Sequence, residues 1–73
     1  LPTFAVPEGS IALVDALVGL GLVASKGEAR RMIKGGGARV DGEKVSDEAT
    51  MVTVGDAGVK VSAGKKAHGV LTR

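Results

Sequence analysis

The sequence has no cysteine, tryptophan or tyrosine, and only one phenylalanine and one histidine. Without cysteine, neither a disulfide framework nor a thiolate metal site can staple the chain. One imidazole, His68, cannot build a metal site alone, so no metal is expected. With Phe4 as the single aromatic, the core must come from Val, Leu, Ile and Ala. No apolar run approaches the roughly 20 residues of a membrane-spanning helix. The opening Leu1-Pro2-Thr3 has no methionine and no signal-peptide pattern. The expectation is a piece of a larger protein that works in the cytoplasm, away from membranes.

The 73 residues are enough for one domain with one small core. The net charge of +2 is modest, but it is unevenly spread. Residues 26–40 hold Lys26, Arg30, Arg31, Lys34 and Arg39 against Glu28 alone. Residues 41–59 hold Lys44 against Asp41, Glu43, Asp47, Glu48 and Asp56. Residues 60–73 carry Lys60, Lys65, Lys66 and Arg73 with no acid. Two basic blocks around an acidic one speak to partners, not to fold.

Residues 1–9, with two prolines and little periodicity, read as a linker or arm, and residues 10–73 as the domain. Ser10 is expected to cap a first helix of about ten residues. On it Leu13, Val14, Leu17, Val18 and Leu20 form a broad apolar face, and Gly21 stops it. Ser25-Lys26-Gly27-Glu28 has the S-x-x-E pattern of a capping box, so a second helix runs to about Lys34. Gly35-Gly36-Gly37 ends it. From there the period becomes strand-like. Asp41-Gly42 joins Ala38-Arg39-Val40 to Glu43-Lys44-Val45 as a hairpin. Further strands are expected at Met51–Val54, Val59–Val61 and Ala67–Thr72. The fold class is α+β: two N-terminal helices packed on a small antiparallel sheet of about four to five short strands.

No catalytic constellation emerges. The one ordinary candidate base is His68, and no serine sits in a G-x-S-x-G elbow. The triple glycine is not a phosphate loop, because no G-K-[ST] follows it. The carboxylates read as a solvated face. The second helix is more informative. Lys26, Arg30 and Lys34 recur at i, i+4 and i+8, with Arg31 beside them, on a line rising about 6 Å per step. Such a row suits a polyanion, and arginine forks bidentately onto phosphate oxygens. An ordinary solvated helix face is the competing reading. Arg39 follows close behind the helix, and Glu28 is expected to be engaged in the cap. Lys65 and Lys66 form a second basic turn, although edge lysines also serve simply to prevent aggregation. His68 reads as a partly exposed polar residue.

The run Ser25-Lys26-Gly27-Glu28-Ala29-Arg30-Arg31-Met32-Ile33-Lys34-Gly35-Gly36-Gly37-Ala38-Arg39-Val40-Asp41-Gly42-Glu43-Lys44-Val45 resembles the central motif of the S-four-like (alpha-L) RNA-binding domain. That domain is appended to ribosomal proteins, pseudouridine synthases and bacterial tyrosyl-tRNA synthetases. The leading Leu1-Pro2-Thr3, the segment Gly9 to Leu17 and the closing Gly64-Lys65-Lys66 are most similar to the synthetase's C-terminal domain. The resemblance implies the alpha-L fold and contact with tRNA. It implies Lys26, Arg30, Arg31, Lys34, Arg39, Lys65 and Lys66 as the RNA-facing residues. It also implies that ATP-dependent tyrosine activation, and pairing into a homodimer, belong to a catalytic portion outside this chain. The H-I-G-H and K-M-S-K-S signatures of that portion are absent here. Two departures stand out. Ala67 and His68 occupy places where the family often has aromatics, which removes a stacking platform. Asp41 replaces a frequent asparagine and adds a negative charge near the surface. The alternatives are an S-four-like domain from another RNA-binding or RNA-modifying protein, and a protein-interaction module that docks a basic partner on the acidic hairpin.

Overall fold

Alternating apolar and polar residues after the triple glycine build a sheet whose inner face is covered by two short helices. The computed structural model describes residues 2–64 and 67–73. In chain order the elements are β1 (Thr3–Ala5), β2 (Ser10–Ala12), α1 (Leu13–Gly19), α2 (Lys26–Lys34), β3 (Ala38–Val40), β4 (Glu43–Val45), β5 (Met51–Thr53), β6 (Val59–Ala63) and β7 (Ala67–Thr72). The main sheet has the order β1-β7-β6-β3-β4, and β2 and β5 form a separate antiparallel ribbon. The architecture is α+β, as the order of periodicities implied.

The N-terminal third differs from its local pattern. Thr3–Ala5, in the segment that reads as an arm, is an edge strand paired in parallel with β7, so the sheet is mixed rather than purely antiparallel. Val6, just beyond it, is buried. The Phe4 ring lies over Gly19 of α1, where an added Cβ would meet the ring at 2.9 Å. Ser10 is not the cap of α1. It belongs to β2, and Ile11 pairs with Val52 across the ribbon. The helix starts at Leu13, with Ala12 at the cap position and no side-chain cap bond. Ladder pairing of a β-branched residue with a valine outweighs the helical period here, because propensity is a weak prior against tertiary contacts.

Further along, local chemistry and fold agree. In α1, Leu13, Val14, Ala16 and Leu17 are buried, and Asp15 is exposed. Leu20, Val23, Ala29, Ile33, Val52, Val61 and Leu71 join them in one core. Met32, one residue before buried Ile33 on the second helix, packs at its margin. Gly21 at φ +75° closes α1: its amide donates to the carbonyl of Val18, and that of Leu22 to Leu17. This pair of bonds is a Schellman cap.

Candidate nucleic-acid interface

The second helix is fixed at both ends. The Ser25 hydroxyl accepts from the Glu28 amide at 3.2 Å. The reciprocal bond of a capping box, from the Ser25 amide to the Glu28 carboxylate, is not formed among the described residues, so Glu28 is less engaged than its spacing implies. At the other end the amides of Gly36 and Gly37 donate to the carbonyls of Ile33 and Met32, with Gly36 at φ +77°. These glycine amides close the helix and are not available to cradle a phosphate.

Ala29 and Ile33 are buried, and their placement turns Lys26, Arg30, Arg31 and Lys34 outward into solvent. Acids from other elements reach both ends of this row. Lys26 Nζ lies 3.3 Å from Asp15 Oδ1 on α1, and Lys34 Nζ lies 3.5 Å from Glu48 Oε2 in the segment before β5. The row therefore has acidic partners after all, although none is local in sequence. Both pairs are exposed, so each is worth about 0–1 kcal/mol and yields readily to a phosphate. Arg30, Arg31 and Arg39 have no ion pair among the described residues. On α2 the two arginines, rather than Lys26 and Lys34, are the uncommitted cations.

Arg39 stands on β3 with its neighbours Ala38 and Val40 turned inward. Registers place it opposite Lys44 on β4 and Ser62 on β6, and Ser62 opposite His68 on β7. One polar row thus crosses four strands on the outer face of the sheet, with residues about 5 Å apart. Sequence spacing gave no hint of Ser62 or His68 as members of a common site. The signal was the strand register, which becomes visible only once β6 and β7 are paired. Lys65 and Lys66 lie outside the described residues.

The hairpin turn explains one departure from the family pattern. Asp41 takes a left-handed φ of 51° and Gly42 one of 86°, the geometry of a two-residue I′ turn. The Asp41 carboxylate accepts from the Lys60 amide at 3.0 Å, and the Asp41 amide donates to the Lys60 carbonyl at 2.7 Å. Its charge is thus used to extend the pairing of β3 with β6. On the acidic side, Val40, Val45, Met51 and Val52 line a depression of about 350 Å³ together with Asp41 and Glu43. Met51 is 60% exposed there. Among the described residues no three His, Asp or Glu side chains gather as metal ligands. No described helix is long and apolar enough to cross a membrane.

Two short helices on a mixed sheet and an arginine-bearing surface define the class: a small α+β domain with a cationic outer face. The chain belongs to the tyrosine–tRNA ligase SYY-like C-terminal domain family, whose model matches residues 1–68. It is 63% identical over 71 residues to the tyrosine–tRNA ligase of Zymomonas mobilis, covering 97% of this chain and 17% of that protein. It is 58% identical over 73 residues to that of Novosphingobium aromaticivorans, covering all of this chain and 18% of the relative. Against the Aquifex aeolicus enzyme the identity is 45% over 65 residues, or 89% of this chain and 16% of the relative. The chain thus spans less than a fifth of the length of the curated relatives it matches.

Proposed function

We propose that this domain holds tRNA for a tyrosyl-tRNA synthetase, with Arg30, Arg31 and Arg39 as the principal phosphate ligands. Lys26 and Lys34 join them once phosphate displaces Asp15 and Glu48, and Lys65 and Lys66 extend the surface. The observation that carries this reading is the set of exposed arginines with no ion pair among the described residues, Arg30 and Arg31 on a helix capped at both ends and Arg39 on the strand that follows it. Cations so placed replace the counterions around RNA phosphates, and the backbone and shape of a folded RNA are read more than its base sequence. The binding step itself needs no cofactor. ATP, tyrosine activation and homodimer formation belong to the catalytic portion of the parent protein, in the cytoplasm. Tethering to that portion turns modest contacts into a high effective concentration.

The test is filter binding of a tRNA transcript across a salt series. Log affinity should fall linearly with log salt, and Arg30→Ala should flatten the slope by about 0.7–0.9. An affinity indifferent to salt, or an unchanged slope, refutes the reading. A second variant probes the acidic partners. Glu48→Gln removes the carboxylate that competes with phosphate for Lys34, so affinity should rise by up to about fivefold, the worth of an exposed ion pair of about 0–1 kcal/mol. Weaker binding by this variant would mean that Glu48 orients Lys34 instead of restraining it.

A further inference from the structure

Behind the end of α2 lies a depression of about 440 Å³ lined by Gly36, Gly37, Arg39, Ser62, Gly64 and His68. Its volume is in the range of small-ligand clefts, about 300–1,000 Å³. Three features distinguish it from an accidental dip between side chains. Its polar groups are consecutive members of one cross-strand row: Arg39 opposite Ser62, and Ser62 opposite His68. They differ in chemistry along the row, from guanidinium to hydroxyl to imidazole. The remaining lining is glycine, and its open end is at Gly64, because the side chains of Lys44 and Met32 lie over Gly36 and Gly37. At Gly64, an added Cβ would meet nothing within 4 Å.

We propose that this depression takes one unpaired ribonucleotide of the bound RNA. The Arg39 guanidinium forks onto its phosphate, the Ser62 hydroxyl bonds to the sugar, and the His68 ring lies against the base. Arginine is the side chain whose planar donors match two phosphate oxygens at once. A serine hydroxyl donates to or accepts from a ribose hydroxyl. An imidazole offers a smaller π-face to a base than the family's aromatics do, so the stacking platform expected to be lost at this place is retained in reduced form at His68. His68 is half-buried on β7, directly opposite Ser62. The proposal rests on the RNA-binding reading above and adds a site to it: the helix arginines supply attraction, and the sheet row supplies a seat for one nucleotide.

The chain has a single histidine, so its imidazole proton signals are unambiguous in a nuclear magnetic resonance spectrum. Titrating a tRNA transcript into the unaltered chain should shift the His68 ring signals in the way a stacked base does. In filter binding His68→Ala should lose about 5- to 150-fold in affinity, the range for removal of one base–aromatic stack, and His68→Phe should restore most of it. Ser62→Leu, which fills the depression from the solvent side of the sheet, should weaken binding comparably. Circular dichroism of each variant checks the fold, and the ring signals of the unaltered protein test the seat without any substitution. If Arg30→Ala weakens binding while the His68 ring signals stay in place, the nucleotide seat is refuted and the RNA-binding reading stands. A shifted signal with His68→Ala binding as well as the unaltered chain also overturns the seat. If the transcript does not bind at all, both readings fall together.

Discussion

Leu17→Ala should lower the unfolding free energy by about 2–5 kcal/mol, the range for removing a fully buried leucine. Leu17 is 0% exposed in the middle of α1. Around it the core also contains Leu13, Leu20, Ile33 and Leu71, so the truncation leaves a void that fixed backbone cannot fill. The effect is large relative to the whole. Small domains have only about 5–15 kcal/mol in reserve, and 1 kcal/mol shifts the midpoint of a 60–100-residue domain by about 4–8 °C. Thermal unfolding followed by circular dichroism should therefore show a midpoint lower by about 10 °C or more. A loss under about half a kcal/mol would mean that α1 presents another face to the sheet.

The double substitution Arg30→Ala with Arg31→Ala should reduce tRNA affinity by about 25- to 60-fold at 0.1 M salt, with the log–log slope flattened by about 1.4–1.8. Each arginine meets one phosphate, and counterion release carries the loss. Both side chains are exposed, so their removal opens no cavity. The only stability cost should be a few tenths of a kcal/mol from losing Arg31 near the negative end of the helix dipole. Lys26→Ala is the matched comparison. Lys26 already pairs with Asp15, so the same charge removed there should cost less affinity. A double variant that binds within twofold of the unaltered chain, with an equal slope, would move the RNA surface away from α2. The acidic depression around Met51 is then the surface to examine, with a basic protein segment as the partner.

What could be read from the chain alone was the chemistry that acts over a few residues. Ser25 caps α2 because its hydroxyl reaches an amide three residues on, and Gly36 closes it because a left-handed φ suits a residue without Cβ. Asp41-Gly42 sets the hairpin for the same kind of reason. The i, i+4, i+8 spacing placed Lys26, Arg30 and Lys34 on one face, which is the face that buried Ala29 and Ile33 leave to solvent, so the helix part of the candidate interface was also legible. The family pattern was legible because it consists of these same local signals in one order.

The tertiary structure decided everything that depends on residues far apart in sequence. Thr3–Ala5 is a strand because β7 lies beside it, and Ser10–Ala12 is a strand because β5 does. Neither segment carries enough local preference to announce the pairing. Lys26 meets Asp15, and Lys34 meets Glu48, only because packing brings α1 and the segment before β5 to the two ends of α2. The row from Lys44 through Arg39 and Ser62 to His68 exists only in the register of four strands. A one-residue slip in any ladder would send the shifted strand's side chain to the other face, and that register is fixed by burying Val61, Ala63 and Leu71 against the helices. The sequence by itself determined which charges this domain presents. The fold decided which of them are left without a partner, and what stands beside them, because long-range pairing and burial set the position of each strand while local signals set only its ends.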